Sequence, residues 1–200
     1  MPDGVAFPME ATESPRSKWS SRFMAAAVVQ AGLAIGLTAF LLYFAVFGVP
    51  AASRVVAGGG AGMWFTVGFF AYLIFGLLAI PLMALFYRHM EVGLRKPYRG
   101  VASALAWAHL ILYNIGVIGA TFLMMYAGYQ GGGAALSATS GGLGYNPGQV
   151  HTLIMVNYPL PIAAFVAVAL AGGGLGFAGY VLTWARRAKA PVSHKGAAGA

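Results

Sequence analysis

The chain has 200 residues, 60% of them hydrophobic and 8% charged, with a mean hydropathy of +0.76. A soluble domain is about 25% charged, so this chain has too few charges to cover a water-facing surface, and lipid is the expected solvent for most of it. Cysteine is absent, which excludes disulfide frameworks, thiolate metal sites and cysteine nucleophiles.

Residues 1–22 are polar and contain Pro2, Pro8 and Pro15 with three of the four acids, Asp3, Glu10 and Glu13. They read as a flexible cytoplasmic tail. The first apolar run, about 23–49, is longer than the roughly 7–15-residue core of a signal peptide and is expected to be a retained helix. Further runs follow at about 63–90, 101–129 and 150–184, and a second cytoplasmic tail, 186–200, comes last. Each run exceeds the roughly 20 residues needed to cross about 30 Å of hydrocarbon. Lipid offers backbone groups no other partner, so all four runs are expected to be helices. The expected fold is all-α, a polytopic four-helix transmembrane bundle over 23–185.

The net charge of +8 takes its meaning from its placement. Arg16, Lys18 and Arg22 precede the first run; Arg88, Arg95, Lys96 and Arg99 lie between the second and third; Arg186, Arg187, Lys189 and Lys195 follow the fourth. Only Arg54 falls in the other set of loops, so eleven of twelve basic residues share one side. That bias predicts both termini inside, in a prokaryotic cytoplasmic membrane. No aromatic-studded basic groove accompanies these charges, so nucleic acid is not an expected partner. The expected partners are the bilayer, including its anionic lipids, and other integral membrane subunits.

The 91–100 loop is short, which predicts an antiparallel hairpin of the second and third helices. The outer 50–62 loop is small-residue and flexible, whereas 129–149 is longer and carries no charge. An uncharged loop of that length is expected to lie along the membrane surface or against a partner subunit.

Gly32 and Gly36 on the first helix, and Gly172, Gly176 and Gly179 on the fourth, put small residues on one helical face, the pattern of close backbone packing. The third helix carries Ala102, Ala106, His109, Tyr113, Gly116 and Ala120 along one stripe, expected to face protein. Pro81 predicts a kink in the second helix. Asn157, Tyr158, Pro159 and Pro161 interrupt the outer third of the fourth, leaving either a proline kink or a wet, ligand-lined polar pocket.

The spans lack Asp, Glu, Lys and Arg except near their inner ends. No catalytic carboxylate pair or Ser-His-Asp set is available, and a proton or ion pump would want a buried carboxylate. Of the four histidines, His194 is in the tail. His89, His109 and His151 are the candidates for heme ligation, and His109 is the one placed deep within a span. His89 and His109 share the inner half of adjacent helices. His109 and His151 are separated by some twenty residues of helix, roughly 30 Å at 1.5 Å per residue.

The stretch Tyr145-Asn146-Pro147-Gly148-Gln149-Val150-His151-Thr152-Leu153-Ile154-Met155, with Pro161 beyond it, resembles the start of the second helix of heme-copper oxidase subunit I. There a Tyr-Asn pair, a His, a Met four residues later and a Pro occur in similar order. Ala106-Trp107-Ala108-His109-Leu110 is similar to other helices of that superfamily, and the likeness covers at most residues 100–180. It implies that His151 would ligate a heme near the outer face. Thr152 stands where the family usually has Gly, and four helices are too few for the whole subunit. The likeness therefore implies a small subunit of such a complex, or a degenerate relative that kept one half-site.

The expected function is a non-catalytic accessory subunit of a larger, terminal-oxidase-like respiratory complex. Two alternatives stand beside it. One is a cytochrome-like electron-transfer subunit using His89, His109 or His151, with a partner chain supplying the missing ligand. The other is a small transporter or channel along the proline-broken stretch.

Overall fold

The computed structural model describes residues 17–186; most of both tails lies outside that range. The elements in chain order are α1 (Lys18–Phe47), α2 (Ala52–Val56), α3 (Gly59–Gly93), α4 (Val101–Ala135), α5 (Pro147–Leu153) and α6 (Pro159–Ala185), with two single 3-10 turns between α4 and α6. No strand occurs among the described residues. Helices α1, α3, α4 and α6 are each long and apolar enough to cross a membrane. The architecture is all-α, with four helices of the length and composition suited to a multi-pass membrane protein. Its outward faces bear side chains such as Ile35, Val46, Leu170 and Phe177, each more than 70% exposed, a surface suited to lipid and not to water.

Local chemistry sets where the helices begin. Ser17 caps α1, its hydroxyl accepting from the Ser20 N–H at 3.1 Å. The Glu91 carboxylate, from the far end of α3, accepts from the Trp19 N–H at 3.1 Å and from the Ser17 hydroxyl. A carboxylate there meets the positive end of the α1 dipole. Gly100, at φ +55°, makes the turn into α4 that a residue with a Cβ would resist. Asn146 and Gln149 form a reciprocal cap on α5, with Pro147 in the first turn.

Helix α3 responds to Pro81 by widening. Over Tyr72–Leu78 the backbone bonds run from each N–H to the carbonyl five residues back, as from Ala79 to Ile74. The extra residue in that turn lies just N-terminal to the proline, whose ring would crowd the preceding turn of a regular helix. The fourth apolar run is two helices, not one. The chain breaks at Ile154–Tyr158, and Pro159 and Pro161 fall in the first turn of α6, where a missing N–H costs nothing.

Helix α4 is the central member, packed along α3 on one side and α6 on the other. All six residues of its small and polar stripe, Ala102 through Ala120, are buried. Gly172 meets the backbone of Tyr113, Gly116 meets the backbone of Ala169, and Gly176 lies against the His109 ring, so a Cβ at any of the three would overlap its neighbour. Across the other seam Gly128 meets the Phe65 backbone. Helix α4 runs on to Ala135, beyond the end hydropathy suggests, because Gly131 and Gly132 let it pack closely against Ala61 and Val55. Gly32 and Gly36 have nothing within 4 Å and face outward from the bundle.

Candidate functional site

Interior polar groups on α1, α3 and α4 are linked to one another between helices, while Thr183, buried on α6, donates within its own helix to the Gly179 carbonyl at 2.8 Å. Gln30, 1% exposed, donates from Nε2 to Asn114 Oδ1 at 2.8 Å. Its own Oε1 and backbone carbonyl lie 2.8 and 2.9 Å from the Tyr72 hydroxyl, which donates to them. Asn114 returns its amide to the Leu110 carbonyl at 2.7 Å. Three helices are thus joined at mid-depth by groups that satisfy one another, as an apolar surrounding demands. Tyr113 donates to the Phe75 carbonyl at 3.2 Å, inside the widened turn of α3.

One layer toward the basic end, His109 is 6% exposed. Its Nδ1 is hydrogen-bonded to the Tyr87 hydroxyl at 3.1 Å, and the ring packs against Phe23 and Tyr113 with centroids 5.0 and 5.8 Å away. Its Nε2 is buried without a protein partner among the described residues. The ring lines a cavity of about 210 Å³ with Phe86, Tyr87, Gly176, Phe177 and Tyr180.

His89 points elsewhere. Tyr87 faces His109; two residues further along a helix is roughly 200° around its axis, and His89 is exposed. His151 is exposed at the opposite end, on α5, beside a cavity of about 590 Å³ whose wall includes Trp64, Tyr145, Met155 and Pro159. No two of the described histidines, His89, His109 and His151, face each other across a common gap, and the 210 Å³ beside His109 is below the roughly 300–1,000 Å³ of ordinary cofactor pockets. Among the described residues no pair of histidines is placed to hold a heme between them.

Of the proline-broken segment, Asn157 is exposed and its side-chain amide turns back to the Ile154 carbonyl at 3.3 Å, closing the break locally. Tyr158 is half-buried against Tyr126, with ring centroids 6.1 Å apart. Pro159 lines the 590 Å³ cavity, and Pro161 is not among its lining residues. Within the Tyr145–Met155 stretch, Asn146 and Gln149 serve as the cap of α5.

At the basic end, Trp19, Tyr87 and Tyr98 cluster under the α3–α4 loop, with Tyr87 and Tyr98 centroids 4.8 Å apart. Tyr98, 7% exposed, buries its hydroxyl with no partner among the described residues. Burial, with Tyr180 and the Glu91 carboxylate nearby, pushes that phenol well above its ordinary range and keeps it neutral. Lys96 reaches across to the Trp184 carbonyl and Arg186 to the Arg99 carbonyl at 3.4 Å, tying the end of α6 to the loop.

Compared with protein families, characterised proteins and solved structures, the chain gives no match.

Proposed function

We propose that the chain is a non-catalytic subunit of a larger membrane complex, crossing a prokaryotic cytoplasmic membrane four times with both termini inside. The observation that carries this reading is how the interior polar groups are employed. Gln30, Tyr72, Asn114, Tyr87, His109 and Tyr113 bond to one another or to backbone between helices. Together they hold a bundle, and among the described residues no carboxylate or nucleophile joins them at that level. The arrangement of α6 supports the same reading. It rests on α4 through a glycine seam and buries 11% of its most apolar stretch, against 33% for α4, so most of its surface is free for lipid or other helices. Outward-facing Gly32 and Gly36 give α1 a smooth strip where a further helix can approach closely.

The resemblance of Tyr145–Met155 to the start of the second helix of heme-copper oxidase subunit I is what favours a respiratory, terminal-oxidase-like assembly as the partner complex. The test is a reduced-minus-oxidised visible spectrum of the chain purified alone from a heterologous membrane. The reading predicts no heme band. A band that disappears in His109→Ala or His151→Ala would contradict it and make the chain a cytochrome subunit.

A further inference from the structure

At the basic end of the bundle a cavity of about 480 Å³ opens between the start of α1, the end of α3 and the start of α4. Among the described residues its wall carries three cations, Lys18, Arg22 and Arg99, with Ser103 and a single carboxylate, Glu91. That carboxylate is already engaged by the Ser17 hydroxyl and the Trp19 N–H. Its charge is directed at the start of α1, so the cations outnumber the charge left to oppose them.

Arg22 is held in place. Its guanidinium carbon lies 4.5 Å from the ring centroids of both Trp19 and Trp107, two indoles that meet edge to face at 5.4 Å. A guanidinium fixed on aromatic faces has little freedom left to lose when its N–H fork pairs with an oxyanion. Lys18 and Arg99 are exposed arms on the same cavity. Lys18 is the first residue of α1 and Arg99 lies two residues before α4. The cavity therefore lies where the apolar helices end, the level at which tryptophans and phosphate headgroups meet in a bilayer.

We propose that this cavity binds a phosphate group at the membrane surface, with Arg22 as the fixed fork and Lys18 and Arg99 as the flanking cations. Charge-assisted bonds from a guanidinium to phosphate oxygens are the strong, geometrically selective kind, and the volume leaves room for the headgroup that bears the phosphate. The lipid source rests on the membrane-spanning reading, whereas the phosphate chemistry does not.

The experiment is native mass spectrometry of the full chain in mild detergent. It is titrated separately with phosphatidylglycerol, with diacylglycerol of the same acyl chains, and with inorganic phosphate; tryptophan emission is followed in parallel. The expected result is one phosphatidylglycerol retained per chain, no comparable retention of diacylglycerol, and a change in emission as Arg22 engages the ligand. Arg22→Gln and Arg99→Gln should each weaken retention roughly tenfold, with Arg22→Lys intermediate. Arg88→Gln, at the same end but outside the cavity, should change it by less than about twofold. Saturable binding of inorganic phosphate with the same variant pattern would identify free phosphate as the source. Equal retention of diacylglycerol, equal loss in Arg88→Gln, or binding of neither phosphate compound would overturn the proposal. Arg99 is exposed, so its variant keeps the test decisive even if the Arg22 variants fail to fold.

Discussion

Gln30 joins α1 to both α3 and α4 through side-chain and backbone oxygen and nitrogen atoms that have no water to turn to. Replacing it by Leu keeps the volume roughly constant but leaves Asn114 Oδ1 unpaired and removes one of the two acceptors of the Tyr72 hydroxyl. Hydrogen bonds between membrane helices average about 0.6 kcal/mol and reach about 1.7. Gln30→Leu should therefore cost about 1–2 kcal/mol, read from the unfolding midpoint in a detergent titration. Tyr98 predicts the opposite sign. Its hydroxyl is buried with no partner, so Tyr98→Phe should be neutral or stabilising at pH 7. The same group sets a pH dependence. The folded phenol is raised above the ordinary 10.0; below that pH both folded and unfolded chains are protonated and the stability is complete. Above it the unfolded chain loses the proton first, so stability falls as pH rises. Unfolding midpoints measured from pH 8 upward should decline beyond about pH 10, and less steeply in Tyr98→Phe. The sequence made His109 visible because one imidazole in an apolar run stands out. It did not single out Gln30, Tyr72 or Asn114, because an amide or phenol becomes a node only when the helices bring its partner opposite.

For whole elements, the period of small residues was readable in α4 and α6, and those faces meet. The same spacing at Gly32 and Gly36 faces outward, because spacing reports that a face is smooth and not what lies against it. The difference is measurable. Gly172→Leu drives a side chain into the Tyr113 backbone and should cost about 1–3 kcal/mol of overpacking, seen as earlier protease access to α6. Gly36→Leu should leave the isolated chain's stability unchanged. Proline was legible as a disturbance but not in its form. Pro81 is met by a widened turn, while Pro159 and Pro161 begin a new helix, since a proline's effect depends on whether the turn before it is already helical. The ends of α4 and α5 were set by glycine packing and by the Asn146–Gln149 cap, neither of which hydropathy measures.

The molecule as a whole is a layered bundle. An aromatic and cationic floor lies at the end bearing Arg22, Arg99 and Arg186, a hydrogen-bonded waist lies at Gln30, and a glycine-rich roof lies under the uncharged loop. All-α organisation and four apolar helices were legible from composition and run length, because lipid leaves the backbone so few solutions. What the bundle leaves uncovered favours further helices: its outward apolar faces, the lipid-side surface of α6 and the outward glycine strip of α1. The most direct test is to solubilise native membranes in a gentle detergent and determine the mass and subunit content of the particle that contains this chain. A subunit of a larger complex predicts one stable particle in which this chain is present in fixed ratio with other integral membrane chains, including redox-active oxidase-type ones. A lone, colourless particle of the chain's own mass would contradict the account and turn attention to transport.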